Sequence, residues 1–335
     1  MDDGWGLSAQ PLPPADPIDP DSAYESVLRY EQRAAHLRAH GPITHIVAAR
    51  VLGYLLLHPV SPVGRERVAA DVSYCCEVDA RLYRLGLLYV KYFIHTFRSK
   101  TVAPSDPEAA APPRKVALDE YIEACKGPEN VHYKAKTLLR DDFRCTITGY
   151  ADTASVERGL IQSSTTNVSV KVAEFLPRSK ITRESVAVLH RLGALPDARS
   201  HDPHTPRNLV AVSEPIQLAM NKLRLCLEPV PGLSHGPNEG THPTRYCLTG
   251  PRGAPRDCLS EIVLRPFEDP RTGLSVPPPD PIFIRTHAVC CRVAHLSGAN
   301  DALSKLYASI LATSVLEEDG SSASLLHGAL SLLAG

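Results

Sequence analysis

Residues 139–152 read LRDDFRCTITGYAD, and residues 170–179 read VKVAEFLPRS. The second stretch is the centre of a strand spanning Val168 to Leu176. Pro177 stops it, because proline has no N–H to give to a ladder. Glu174 takes an inner position of that strand. A carboxylate there faces either water or a group that takes a negative oxygen. In the first stretch Phe143 to Thr148 is also strand-like, and Gly149-Tyr150-Ala151-Asp152 turns the chain. Further on, Glu184 to Leu195 has helical periodicity, residues 196–208 form a polar loop, and Glu214 to Lys222 is a short helix. Leu223–Leu227, Arg245–Leu248 and Glu261–Leu264 read as further short strands. Strands in the middle of a chain otherwise made of helices predict an α+β fold.

The chain has 335 residues, 43% of them hydrophobic and 22% charged, which is the balance of a soluble globular protein. Aromatic residues make up only 6%, so the core must come from Leu, Val, Ala and Ile. A formal net charge of −1 gives no global field toward DNA, RNA or an anionic membrane. The nine cysteines form no CxxC pair, which argues against a structural zinc site. They read as reduced thiols of an intracellular protein, with nucleus and cytoplasm both open. The first residues, MDDGWGLSAQPLPPADPIDP, are acidic and proline-rich and lack the basic start and apolar run of a secretory signal. The longest uncharged apolar run, Val51 to Leu57, is too short to cross a bilayer.

Composition divides the chain into a disordered tail at 1–20, a helical N-terminal region at 21–100, a linker at 101–114, a domain with closing helices at 115–312 and a flexible tail at 313–335. In the N-terminal region Tyr24–Ala39, Ile43–His58 and Val63–Arg98 are helical, the last interrupted near Cys75-Cys76. Leu82, Leu85, Tyr89, Tyr92, Phe93 and Phe97 recur at three- and four-residue steps and form a core-facing stripe. Short helices are expected at Ala117–Cys125 and Asn130–Leu139, and longer ones at Pro281–Leu296 and Ala299–Ala312. The loop at 229–243 is rich in Pro, Gly and His.

Taken together, several segments resemble the HNH nuclease domain proteins abundant in mushroom-forming fungi. The matching residues are Arg140-Asp141-x-Phe143-Arg144-Cys145-x-x-Thr148-Gly149, the strand ending Ala173-x-x-x-Pro177, Pro206-Arg207-Asn208-Leu209 and Leu225-x-Leu227-Glu228-Pro229. Gly64-Arg65, the run from Leu87 to Arg98, and Ala288 to Ala299 extend the likeness over most of residues 24–310. The resemblance implies a ββα-metal domain that cuts DNA phosphodiesters with one divalent cation such as Mg²⁺. In that family a strand His activates water, an Asn braces the loop, and a helical His binds the metal, which offsets charge on the phosphate. His suits the base role because it is neutral and basic near pH 7.

Carried onto this chain, the resemblance places Glu174 where the strand His is expected and Gln217 where the helical His is expected. Only Asn208 matches its role. Glu174, Asn208 and Gln217 are therefore the candidate catalytic set, with both motif imidazoles replaced. Glu174 has two readings: a ligand for Mg²⁺ or Mn²⁺, joined by His204 of the His201-Asp202-x-His204 loop, or a relic that pairs with Arg144 or Arg178. His190 lies in the same span, and His235, His242 and His295 are further imidazoles outside it. Residues 129–229 hold 14 Lys and Arg against 11 Asp and Glu, a local charge of +3. Arg178, Lys180 and Arg183, with Arg191, are candidate phosphate contacts, or an ordinary solvated face. Three functions remain: an impaired nuclease-family protein, an active endonuclease using Glu174, Asn208 and a loop His, or a non-catalytic module that binds nucleic acid or, through its N-terminal helices, a protein.

Overall fold

A computed structural model describes residues 8–15, 22–38, 41–98, 115–162, 166–177, 181–195, 205–230 and 245–312. Outside them lie most of the tail expected at 1–20, the linker at 101–114, nearly all of the 229–243 loop with His235 and His242, and the 313–335 tail. Arg178, Lys180, His201 and His204 also fall outside the described residues. The chain mixes helices with small sheets and forms two compact units. One draws its described residues from 8–98, 181–195 and 289–312; the other from 115–177 and 205–288.

The first of these units is helical. Helix α1 (Ser22–Ala34) buries Ala23, Tyr24, Val27, Tyr30 and Ala34, an apolar stripe at helical spacing. Helix α2 (His45–Leu57) is buried from Ala48 to Leu56 except at Arg50, which explains why its sequence is apolar nearly all round. Thr44 caps it by accepting from the Val47 N–H at 3.3 Å. Helix α3 (Pro62–Tyr74) starts with Pro at its first position and Ser61 as its cap. Cys76 and Glu77, with φ of 50° and 56°, end it and turn the chain into α4 (Asp79–Tyr89). The helix continues through a π-turn at Val90–Ile94 into α5 (His95–Phe97). Leu82, Tyr89, Phe93 and Phe97 of the aromatic stripe are buried. Gly86 lets α4 approach α2: a Cβ there would stand 2.7 Å from the Ala48 Cβ.

The other unit begins with α6 (Leu118–Ala124) and α7 (Tyr133–Arg140). Strand β1 (Ala151–Asp152), helix α8 (Thr153–Glu157), strand β2 (Asn167–Val168) and strand β3 (Val170–Glu174) follow. Helix α9 (Arg183–Arg191) belongs to the helical unit. Strand β4 (Leu209–Ser213) then pairs antiparallel with β3, from Val170↔Ser213 to Glu174↔Leu209, and α10 (Glu214–Asn221) follows at once. Strands β5 (Cys226–Pro229), β6 (Arg245–Thr249) and β7 (Ile262–Val263) make a small antiparallel sheet. Strands β8 (Phe267–Asp269) and β9 (Leu274–Val276) make a hairpin. Helix α11 (Pro281–Leu296) has its residues divided between the units at Ala288, and α12 (Ala299–Ala312) belongs to the helical one. Ile122, Cys125, Leu139, Phe143, Leu160, Leu274 and Val276 form a core cluster of the mixed unit.

Phe143–Thr148, expected as a strand, is not one, and the antiparallel partner of 170–174 is 209–213. Asp142 and Phe143 both have positive φ, and the Cys145 N–H bonds to the Tyr150 carbonyl across a tight turn. The tail at 1–20 is also not uniformly without structure, because residues 8–15 pack on α1 and α2.

Candidate functional site

The candidate residues meet on β3, β4 and α10. Strand β4 is buried at all five positions, so its two edges decide whether it can exist. Toward β3 it has the antiparallel ladder. In such a ladder alternate residues turn their N–H and C=O away from the partner strand. Here Leu209, Ala211 and Ser213 turn outward, and the RDDFRCT segment, residues 140–146, bonds to them. The Leu209 carbonyl accepts from Arg140 Nη2 at 2.8 Å. The Ala211 N–H donates to Asp141 Oδ2 at 2.8 Å, and the Ala211 carbonyl accepts from the Thr146 N–H at 2.9 Å. The Ser213 N–H donates to Cys145 Sγ at 3.2 Å.

Arg140 holds this edge together. Its Nε and Nη2 donate to the two Asp141 oxygens at 2.7 and 3.0 Å, Nη1 donates to the Pro206 and Pro277 carbonyls at 2.8 and 3.1 Å, and Nη2 reaches Leu209. All five guanidinium N–H groups are thereby used, as a buried cation requires. The pair is buried, with side-chain exposures of 0% and 4%. It fixes Pro206, and with it the 3₁₀ turn Pro206–Asn208.

That turn places Asn208, which is 0% exposed, beside the end of β3. Asn208 Oδ1 accepts from the Leu176 N–H at 2.8 Å, and Nδ2 donates to the Leu176 carbonyl at 2.8 Å. Its backbone carbonyl accepts from the Phe175 N–H at 3.0 Å. The side-chain amide thus acts as a substitute peptide group and clamps the chain just beyond Glu174. Glu174 itself is the last residue of β3, partly buried and opposite Leu209. Gln217, on α10 and 4% exposed, donates from Nε2 to the Val172 carbonyl at 3.0 Å. Its Oε1 is buried and has no hydrogen-bond partner among the described residues. Val172 and Glu174 share one face of the strand, while Ala173 and Phe175 are buried on the other.

His287 was not among the sequence candidates. It lies on α11, with its ring centroid 6.1 Å from that of Phe175. Burial, opposed by a hydrogen bond with the Met220 backbone, lowers its pKa to about 4. The imidazole is therefore a neutral core group packed beside Phe175. The only hint in the sequence is its place within the apolar run FIRTHAVCC.

Arg183 is exposed at the start of α9, and His190 is exposed near its end. Both belong to the helical unit, as does buried His295. Arg144 donates from Nη1 to the Gly149 carbonyl at 3.2 Å. Among the described residues no three His, Cys, Asp or Glu side chains converge as a metal site. Both polar atoms of Asn208 are consumed by Leu176. Beside it, among the described residues, stand the Glu174 carboxylate and the neutral amide oxygen Gln217 Oε1. Among the described residues these two oxygens are fewer than the several oxygens or imidazoles that a divalent cation draws on, and the loop candidates His201 and His204 lie outside the described residues. Compared with family models, curated proteins and solved structures, the chain matches none.

Proposed function

We propose that this chain is an HNH nuclease-family protein whose ββα-metal architecture persists while its capacity to cut phosphodiesters is lost or nearly so. The observation that supports this reading most is the Asn208 clamp. An asparagine one residue before the second strand grips the end of the first, and a side chain from the following helix reaches the same first strand. In the resembling family those positions brace and assemble the site. Here the two imidazoles are Glu174 and Gln217. A carboxylate is a weak base at its usual acidity, and an amide nitrogen does not take a proton at all near neutral pH. What such a site retains is shape and one negative charge, which suits binding to nucleic acid or to a protein partner.

The test is nicking of supercoiled plasmid in Mg²⁺ or Mn²⁺ by the wild-type chain, by Glu174→Ala and by the double variant Glu174→His/Gln217→His. Wild type and Glu174→Ala are expected to match the no-enzyme control, and restoring both imidazoles is expected to raise nicking above it. Clear nicking by the wild type that disappears in Glu174→Ala overturns the proposal and makes Glu174 a working catalytic group.

A further inference from the structure

Residues 8–15 read SAQPLPPA, and they lie on the helical unit in a bed that answers each feature of a proline-rich strand. Three of residues 11–14 are proline, so φ is fixed there and the preceding residues favour extended backbone. Such a segment makes no hydrogen bonds to itself and leaves its carbonyls outward. Two tyrosine hydroxyls collect them. Tyr54 donates to the Gln10 and Pro11 carbonyls at 3.2 and 3.0 Å, and Tyr24 donates to the Pro13 carbonyl at 2.7 Å. Burial raises the pKa of both phenols, so they stay protonated donors.

The one N–H between the prolines, that of Leu12, donates to the Glu31 carboxylate at 3.2 Å. Glu31 is itself held by Arg50 Nε at 2.6 Å. The Leu12 side chain is 7% exposed, whereas Pro11, Pro13 and Pro14 are exposed. It fits against Gly53 of α2, where a Cβ would stand 2.5 Å from both Leu12 methyl carbons. Gly53 is mid-helix, where glycine is disfavoured relative to alanine, so the notch has an energetic cost that Leu12 docking offsets. Ala9 is seated similarly against Gly298, where a Cβ would stand 3.0 Å from the Ala9 Cβ.

We propose that the α1–α2 face is a recognition groove for proline-rich peptides with a leucine between prolines, and that residues 8–15 are a tethered ligand filling it in cis. The inference is independent of any nuclease ancestry. An aromatic hydroxyl ladder, a carboxylate for the single free N–H and one side-chain notch are the elements by which extended proline-rich segments are read. A ligand in trans must compete with a tethered one whose effective concentration is on the order of millimolar.

The probe is a fluorescent peptide SAQPLPPA followed by anisotropy, with the full chain as receptor. A Leu12→Asp chain is expected to bind it at least ~10-fold more tightly than the wild-type chain, because the cis competitor is weakened. Adding Tyr24→Phe or Tyr54→Phe is expected to weaken that binding roughly 3- to 10-fold. The same peptide with Leu replaced by Asp is expected not to bind. Equal binding to both chains, or binding that ignores the peptide's leucine, overturns the proposal. A second measurement needs no variant: millimolar unlabelled peptide should accelerate hydrogen exchange of the Leu12 N–H in the wild-type chain. Exchange that is independent of peptide concentration shows a fixed structural tie and also overturns it. A wild-type dimer that the peptide splits assigns the groove to the strap of a second copy and removes the cis assignment.

Discussion

Asn208 and Gln217 are both buried primary amides that bond to the same stretch of chain, yet their polar atoms are used to different extents. Asn208 spends its acceptor and its donor on one residue, Leu176. Truncation to alanine strands a buried N–H and a buried C=O, each costing about 1–3 kcal/mol. Asn208→Ala should therefore lower stability by roughly 2–5 kcal/mol, read as a fall in the urea midpoint followed by circular dichroism. Gln217 makes one bond to Val172 and keeps a buried carbonyl with no partner among the described residues. Gln217→Leu loses the bond but also removes the stranded oxygen, so its cost should stay within about 1.5 kcal/mol in the same titration. A Gln217 variant as damaging as the Asn208 one would mean that Oε1 is satisfied in solution. Asn208 stood out in the sequence only through the resemblance read around it; its clamp on Leu176 is a contact that the sequence does not display. Nor was the inequality between the two amides legible, because it depends on which carbonyl each one meets.

At the scale of elements, what the sequence conceals is satisfaction of edges. LVAVS at 209–213 is five apolar or small residues, too short and too uniform for periodicity to distinguish helix from strand. It is buried throughout, and its pairing with β3 depends on groups supplied from 70 residues earlier. Phe143, Cys145 and Ile147 alternate as a strand would, but two left-handed residues fold that stretch into a turn whose atoms close the β4 edge. The helices α2, α10 and α11 were legible because each carries apolar spacing over two turns or more, with a cap or a proline at its boundary. Gly64 shows the reverse case, a residue flagged by likeness whose reason is geometric. It sits in α3 where a Cβ would stand 2.1 Å from the Leu192 carbonyl oxygen at the end of α9. The Ser61 hydroxyl, which caps α3, donates to that same carbonyl at 3.1 Å. In a free helix Gly→Ala gains up to about 1 kcal/mol, but crowding a packed backbone typically costs about 1–3 kcal/mol. Because the contact is backbone and cannot rotate away, Gly64→Ala should destabilise the helical unit by roughly 1–2 kcal/mol net, lowering its melting temperature. A rise would show that α3 and α9 shift apart freely.

For the molecule as a whole, each unit holds a histidine kept neutral by full or partial burial, and acid should act on both. In the mixed unit burial holds His287 at about 4, and it is only 2% exposed. In the helical unit burial, reinforced by the Arg292 charge, holds His58 at about 4, although its side chain is partly exposed. For a base whose folded pKa lies below its unfolded value near 6.5, the unfolded chain binds more protons between the two values. Stability is then intact above pH 6.5 and is lost as pH falls toward 4. For fully buried His287 the loss approaches about 3 kcal/mol at the lower end; partly exposed His58 adds a smaller, screened share. The carboxylates with lowered pKa, exposed Glu77 and Glu184 and buried Asp269, act below this window. Urea midpoints measured from pH 7.5 to 4.5 should fall steadily in the wild type. His287→Leu, whose apolar side chain cannot gain a proton, should flatten that slope whatever it does to the midpoint at pH 7.5. A wild-type slope unchanged by His287→Leu would mean that the imidazole takes its proton in the folded core, and the burial that keeps it neutral behind Phe175 would have to be abandoned.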